Sequence, residues 1–462
     1  MKLKPFIFFF IFAISLILLT SASIDLNNLF NYSGQTRPSY IIKDNTTVGN
    51  PITNSAATLG RVLFYDKSMS LNSTIACASC HKQQFAFSDT AVRSLGLSRG
   101  LTGRHSMRLI NSRFATEAKF FWDERAITLE DQSTRPIKDH VEMGFSNTNG
   151  DPDFDSLVHR LQNINYYKTL FKFVYGDTTV SETRIQFALA QFIRSIQSFD
   201  SKFDAGRVNS PNDAAPFNNF TQNENAGKAL FLAPPPQGAG CQGCHRAPEF
   251  DIDPNSRNNG VTAVAGNPTV KDFTNTRAPS LRDIFNPNGS LNGPLMHNGV
   301  FSNIQQVINH YNLVPQDTGN NNLDNRLAGP GGNLQLTAQE QSNLISFLRT
   351  LTGSDVYTNP KWSNPFENDD SLNLTPLVNS IKEDFLDEIS VFPNPTKELI
   401  NINLMDKSFE VYIYNQKGSE IKHLNANQTF ELDVSNFTVG VYTLVFISKE
   451  NGRKATKFFV KD

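Results

Sequence analysis

Cysteine is scarce: the 462-residue chain has four, and each lies in one of two Cys-x-x-Cys-His pentapeptides, so none remains for a disulfide. Charge is nearly balanced, with 42 Lys and Arg against 44 Asp and Glu. A nucleic-acid binder usually carries a basic patch or domain, so the balance argues against one. A long apolar run is also missing. The stretch from Phe6 to Leu19 falls short of the roughly 20 residues that span a bilayer. With Lys2 and Lys4 before it and Thr20-Ser21-Ala22-Ser23 after it, it reads as a signal peptide over 1–23. At 39% hydrophobic, the length suits about three domains.

The two pentapeptides are Cys77-Ala78-Ser79-Cys80-His81 and Cys241-Gln242-Gly243-Cys244-His245. Two thiols at this spacing can form thioethers to the vinyl groups of one haem, with the adjacent His as axial ligand to the iron. The bland alternative, a redox or zinc Cys pair with a chance His, does not explain why all four Cys fall in complete motifs. The sequence therefore predicts two covalently bound haem c groups, ligated by His81 and His245. Their attachment outside the cytoplasm fits the leader.

Each motif follows a similar segment, Leu59-Gly60-Arg61-Val62-Leu63-Phe64 and Ala226-Gly227-Lys228-Ala229-Leu230-Phe231. This internal repeat predicts one helix feeding each haem loop. Thr221 with Glu224, and Thr337 with Glu340, form capping boxes. Ile185, Leu189, Phe192, Ile193 and Ile196 recur at helical spacing, as do Leu344, Phe347, Leu348 and Leu351. Strand signals are few before residue 355. The expectation is a mainly α protein of two tandem c-type cytochrome domains with long loops, over 55–205 and 206–355, after an extended lead-in over 24–54.

From Thr358 to Asp384 the chain is rich in Asn, Asp, Ser and Pro, and a linker over 356–387 is expected. Alternating apolar residues then predict strands at Leu399–Leu404, Val411–Tyr414, Phe430–Val434, Val441–Ile447 and Ala455–Val460, in a small all-β, Ig-like sandwich over 388–462.

Seven segments in order carry a resemblance: Leu59 to Asp66, Cys77 to His81, Phe120-Phe121-Trp122-Asp123-Glu124-Arg125, Gln132 with Val141-Glu142-Met143, Cys241 to His245, Pro279-Ser280-Leu281-Arg282, and His297-Asn298-Gly299. Over about residues 55 to 355 the chain resembles the bacterial di-haem cytochrome c peroxidase family, which includes the di-haem enzyme of methylamine utilisation. The resemblance implies a peroxidatic N-terminal haem and an electron-entry C-terminal haem. It makes Glu142 the acid-base residue, Gln132 its pocket neighbour and Trp122 the relay between haems. Glu124 stands where the family carries Gly.

Many family members close the peroxide haem with a loop His, but Asp89 to Leu101 contains none. His105 aligns instead near the family's interdomain calcium site, so the first haem is expected to be open without reductive activation. For the second iron, Ile304, Val307, Ile308 and Tyr311 share one helix face, with Ser302 as the expected N-cap and His310 turned about 100° away. Tyr311 is the preferred sixth ligand and Met296 its rival. His297 is expected to hydrogen-bond behind the ligands, and His140 and His159 to be surface or core residues.

The resemblance also implies hydrogen peroxide as substrate, a small electron donor such as a monohaem cytochrome c, and, as common family features, a calcium ion and a homodimer. The alternatives are a methylamine-utilisation-type oxidase acting through Trp122, which Tyr311 favours, and a non-enzymatic electron-transfer cytochrome. The C-terminal module resembles the type IX secretion sorting domain through Val391-Phe392-Pro393-Asn394-Pro395, Val411-Tyr412-Ile413-Tyr414-Asn415 and Gly440-Val441-Tyr442. That implies passage through the periplasm to the cell surface or beyond, with the type IX machinery as partner; a carbohydrate-binding sandwich is the alternative.

Overall fold

The computed structural model describes residues 23–116, 119–252, 256–377, 389–404, 407–450, 452 and 454–462. The expected signal peptide, apart from Ser23, and residues 378–387 of the expected linker lie outside the described residues. The chain forms two compact units, one holding 28–374 and the other 375–462 with 25–27.

Among the described residues, ten α-helices fall in the first unit: α1 (Asn54–Tyr65), α2 (Cys77–Cys80), α3 (Leu129–Thr134), α4 (Phe154–Asn163), α5 (Asn165–Tyr175), α6 (Glu182–Ser195), α7 (Lys202–Val208), α8 (Gln222–Leu232), α9 (Ile304–Asn312) and α10 (Ala338–Arg349). The repeat appears in space as two matching crossings, α1 on α6 and α8 on α10. Gly60 and Gly227 permit them. A Cβ on Gly60 would collide with the Ala188 carbonyl and press the Phe192 Cβ, and one on Gly227 would meet the Asn343 carbonyl and the Phe347 Cβ in the same way.

Side-chain caps start these helices, the two Thr–Glu boxes as expected. Thr53 accepts from the Ala56 amide, and Thr221–Glu224 and Thr337–Glu340 form complete capping boxes. Leu59, Val62, Leu63 and Phe64 of α1 and Ala188, Leu189 and Phe192 of α6 are buried, each large side chain contributing ~1.5–3 kcal/mol. In the second half, Phe203, Phe217, Phe231, Phe250 and Phe347 interlock edge to face around one core. Two buried bidentate ion pairs brace these elements: Arg194 of α6 to Glu130 of α3, and the loop residue Arg282 to Asp204 of α7 at 2.8 and 2.9 Å.

Three expectations are corrected. Helical content is only 29%, so "mainly α" overstates the chain as a whole. Much of it is loop, held by side chains that donate to loop carbonyls, as Arg160 does to Ser68, Ser70 and Leu71. The segment from 356 is not a free linker. Trp362 is buried, its indole reaches Ser195 Oγ at 3.3 Å, and Arg61 donates to the Ser363 carbonyl at 2.6 Å. The lead-in is likewise pinned, by Tyr32 to the Lys361 carbonyl and Tyr40 to Asp204. Finally, the N-cap of α9 is Asn303, not Ser302: its side chain accepts from the Gln306 amide while Gln306 reaches back.

Among the described residues, the second unit has seven antiparallel strands in two sheets. One runs in the order Glu420–Ala426, Phe409–Tyr414, Gly440–Ser448, Lys454–Lys461, and the other Phe430–Asp433, Leu399–Asn403, Ser390–Phe392. Ile400, Ile402, Val411, Ile413, Leu444, Phe446 and Phe459 form a core shared by both. Asn394 of the Val391–Pro395 motif imitates a strand: its Nδ2 donates to the Phe458 carbonyl and its Oδ1 accepts from the Val460 amide, both at 2.9 Å.

Candidate active site

The short helix α2 sets the first site. One helical turn brings Cys77 and Cys80 to the same side, and both thiols are free of disulfides. His81 caps the turn, its amide donating to the Cys77 carbonyl, and its ring Nδ1 donates to the Phe87 carbonyl at 3.1 Å. That bond fixes the ring and would present Nε2 to a haem iron. Cys77, Cys80 and His81 line a cavity that is partly open to solvent, with Phe64, Leu109, Leu189 and Ile193 as apolar wall. Two unpaired thiols, a fixed imidazole and an apolar wall suit a covalently attached haem.

Gln132 and Glu142, 10 residues apart in sequence, line this same cavity. Gln132 sits on α3, whose N-cap Thr128 accepts from the Asp131 amide. Glu142 sits in a turn set by Asp139, whose Oδ1 accepts from the Val141 and Glu142 amides at 2.8 and 3.0 Å. The 94–101 loop closes on that turn, with the Leu97 amide donating to the Val141 carbonyl at 2.7 Å. Burial pushes the Glu142 carboxyl up to about 7; the Asp139 charge adds to the rise and Arg125 opposes it.

His105 does not line the cavity. It is buried, and its Nδ1 donates to the Ala91 carbonyl at 2.9 Å. Burial lowers its pKa to about 4, so the ring is neutral.

Trp122 joins the two haem halves. Its Nε1 donates to the His105 carbonyl at 2.7 Å, its own carbonyl accepts from the Arg277 amide at 2.7 Å, and its ring meets the His297 imidazole edge-on with centroids 6.3 Å apart. The His105 amide in turn donates to the His297 carbonyl at 2.8 Å. His297 is buried, its Nδ1 has no hydrogen-bond partner among the described residues, and burial lowers it to about 4. Glu124 takes φ +61, the left-handed region open to Gly, so the turn after Trp122 survives. A residue with a Cβ costs roughly 1–2 kcal/mol there.

At the second motif, Cys241 and Cys244 are also free of disulfides. The half-buried His245 is lowered to about 4 by loss of solvation, partly offset by the Pro279 carbonyl. Tyr311 and Met296 converge on one amide, with Asn259 Nδ2 3.5 Å from both Tyr311 Oη and Met296 Sδ. Met296 holds φ +72, a strained position of the kind found where a loop presents a ligand. His310 is buried rather than pointing to solvent: its Nε2 donates to the Asn259 carbonyl at 2.9 Å, which fixes Asn259. Asn259 was missed in the sequence because it stands in an Asn-rich loop with no motif of its own. His140 is exposed and bonded to Asp151 at 2.7 Å, and His159 is exposed.

Among the described residues, no group of three or more His, Cys, Asp or Glu side chains could hold a metal ion. A calcium ion there would depend on backbone carbonyls and water.

Residues 54–210 match the family described as Di-haem cytochrome c peroxidase, and residues 390–461 match the Secretion system C-terminal sorting domain. The chain is 31% identical over 314 residues to the methylamine utilization protein MauG of Methylophilus methylotrophus, covering 66% of this chain and 85% of that one. It is 26% identical to the cytochrome c551 peroxidase of Nitrosomonas europaea, covering 64% and 80%. A solved MauG-like protein associated with microbial copper homeostasis aligns with a TM-score of 0.55 at 26% identity, covering 73% of this chain and 99% of that one. The diheme peroxidase BthA of Burkholderia thailandensis shares the fold, with a TM-score of 0.51 at 19% identity over 73% and 93%.

Proposed function

The chain belongs to the di-haem cytochrome c peroxidase family and carries a secretion-system sorting domain, and on that premise we propose that it is an exported peroxidase reducing hydrogen peroxide to water. Cys77, Cys80 and His81 hold the peroxidatic haem, and Cys241, Cys244 and His245 the electron-entry haem. When bound, the first haem supplies an iron that accepts a peroxide oxygen and passes on two electrons. The observation that carries the reading is the meeting of Glu142 and Gln132 on the Cys77–His81 cavity, with Glu142 half-ionised near neutral pH.

A base takes the proton from the near oxygen of peroxide and returns it to the far oxygen, which then leaves as water. A carboxyl tuned to about 7 can do both at neutral pH. Gln132 orients the peroxide by hydrogen bonding. Trp122 carries charge between the halves, because indole is easily oxidised and its contacts reach both. The engagement of the His105 ring with Ala91 supports a first haem that is open as isolated.

Cyanide binding tests the enzyme against a plain electron-transfer cytochrome. One ferric haem should take cyanide; two inert haems would overturn the reading. A methylamine-utilisation-type oxidase is the second reading, favoured by Tyr311 beside Asn259. It predicts oxidation of a protein or organic substrate rather than of a cytochrome donor. The sorting domain supports delivery to the surface by the type IX route. A chain lacking 389–462 should retain activity and stay in the periplasm.

A further inference from the structure

Asp66, Tyr166 and Tyr167 form a cluster that the reading above does not use. Asp66 is buried where α1 ends. Its Oδ1 caps the next turn through the Ser68 amide at 2.7 Å, and its Oδ2 accepts the phenolic O–H of both Tyr166 and Tyr167, each at 2.7 Å. Burial and the Asp66 charge hold both phenols well above their ordinary pKa, so they keep their protons.

The cluster lies beside the first haem site. Phe64 lines its cavity, and Asp66, two residues further on, closes the same helix and holds the fully buried Tyr167. From Tyr167, aromatic rings lead away from the site. Tyr166 is 4.7 Å off, centroid to centroid, and in the other direction Phe171 follows at 6.2 Å and Tyr175 5.8 Å further on. Tyr166 and Tyr175 are both partly exposed.

A phenol gives up an electron readily only if its proton can leave at the same time, because the protonated phenol radical is a strong acid. A carboxylate at hydrogen-bond distance is such an acceptor. Trp122 differs, since its N–H faces a peptide carbonyl, which does not take a proton. We propose that Tyr166, Tyr167 and Asp66 are a second redox site, through which an oxidising equivalent leaves the first haem when the second haem supplies no electron.

The inference rests on the peroxide reading of the first haem. The oxidant is that haem after reaction with hydrogen peroxide, holding two oxidising equivalents. One electron passes from a phenol to the haem, the phenolic O–H breaks, and its proton forms an O–H on Asp66. A neutral tyrosyl radical and a carboxylic acid remain, with one equivalent left on the haem. A one-electron reductant at the surface, such as a monohaem cytochrome c, then supplies an electron that restores the phenol as the proton returns from Asp66.

The test mixes the ferric holoprotein with hydrogen peroxide in the absence of donor and follows the haem Soret band and freeze-quenched EPR together. A tyrosyl signal is expected in the wild type, with loss in the Tyr166→Phe/Tyr167→Phe double variant, which keeps both rings. Asp66→Asn keeps both phenols and should also lose the signal. A tyrosyl signal unchanged in the double variant would overturn the inference. A Soret change without any tyrosyl signal would overturn it alone. An unchanged Soret band would overturn the peroxide reading and this inference together.

Discussion

Trp122 and His105 are joined by an indole N–H donated to a backbone carbonyl at 2.7 Å. The bond uses the main chain of His105, so it outlasts any change of that side chain, and it leaves the imidazole to Ala91. His105 thus serves as a scaffold for the tryptophan.

Replacing Trp122 by Phe keeps an aromatic ring in place but removes the N–H and the easily oxidised indole. Both haems should still attach, and cyanide should bind the first as before. Electron passage from the second haem to the first should slow, which stopped-flow spectra of the half-reduced protein measure. An unchanged rate would exclude Trp122 as the relay.

Glu142→Gln should lower peroxide turnover by about 10²- to 10⁴-fold. Reaction needs the carboxylate form to accept the proton, so wild-type activity should rise with pH to a half-point near 7, and the variant should lose that limb. Stability runs the other way. A carboxyl raised by burial costs nothing while neutral in both states, and its cost grows from about pH 4.5 and is full above about 7. The variant should therefore gain stability over the wild type at alkaline pH and not in acid, as melting curves will report.

Tyr311 and Met296 flank the same Asn259 amide, so the sixth ligand of the second haem can be decided by substitution. Tyr311→Phe should change the second haem's ferric spectrum and raise its potential, since a phenolic oxygen favours ferric iron and a thioether the ferrous state. Met296→Leu should leave both unchanged. The reverse outcome would transfer the role to Met296.

Gly60→Ala and Gly227→Ala each place a methyl group against a carbonyl of the partner helix. Neither crossing can widen without opening the core beside its haem loop. Each variant should lose about 3 kcal/mol or more, read as a lower melting temperature and poorer haem incorporation.

The haem motifs, the helix repeat and its capping boxes were legible because they are local: spacing along the chain decides them. Cys77–His81 and Thr221–Glu224 need no tertiary partner to be recognised. Glu142 and Gln132 were reached only through resemblance, since a carboxylate in a loop carries no sign of what it faces. The Tyr166–Tyr167–Asp66 cluster was invisible because its members lie 100 and 101 residues apart in sequence and meet only when α5 packs on α1. The strand Glu420–Ala426 was missed for another reason. Only Ala426 at its end is buried, so alternation never develops. Trp362 was misassigned to a linker because one buried indole outweighs its polar neighbours.

The most direct test is oxidation of reduced monohaem cytochrome c by hydrogen peroxide, started with the ferric protein as isolated and no prior reductant. Turnover should begin on mixing, without a lag, and should collapse in Glu142→Gln. A lag abolished only by first reducing the second haem would contradict an open first haem, and absence of turnover in both states would contradict the peroxidase itself.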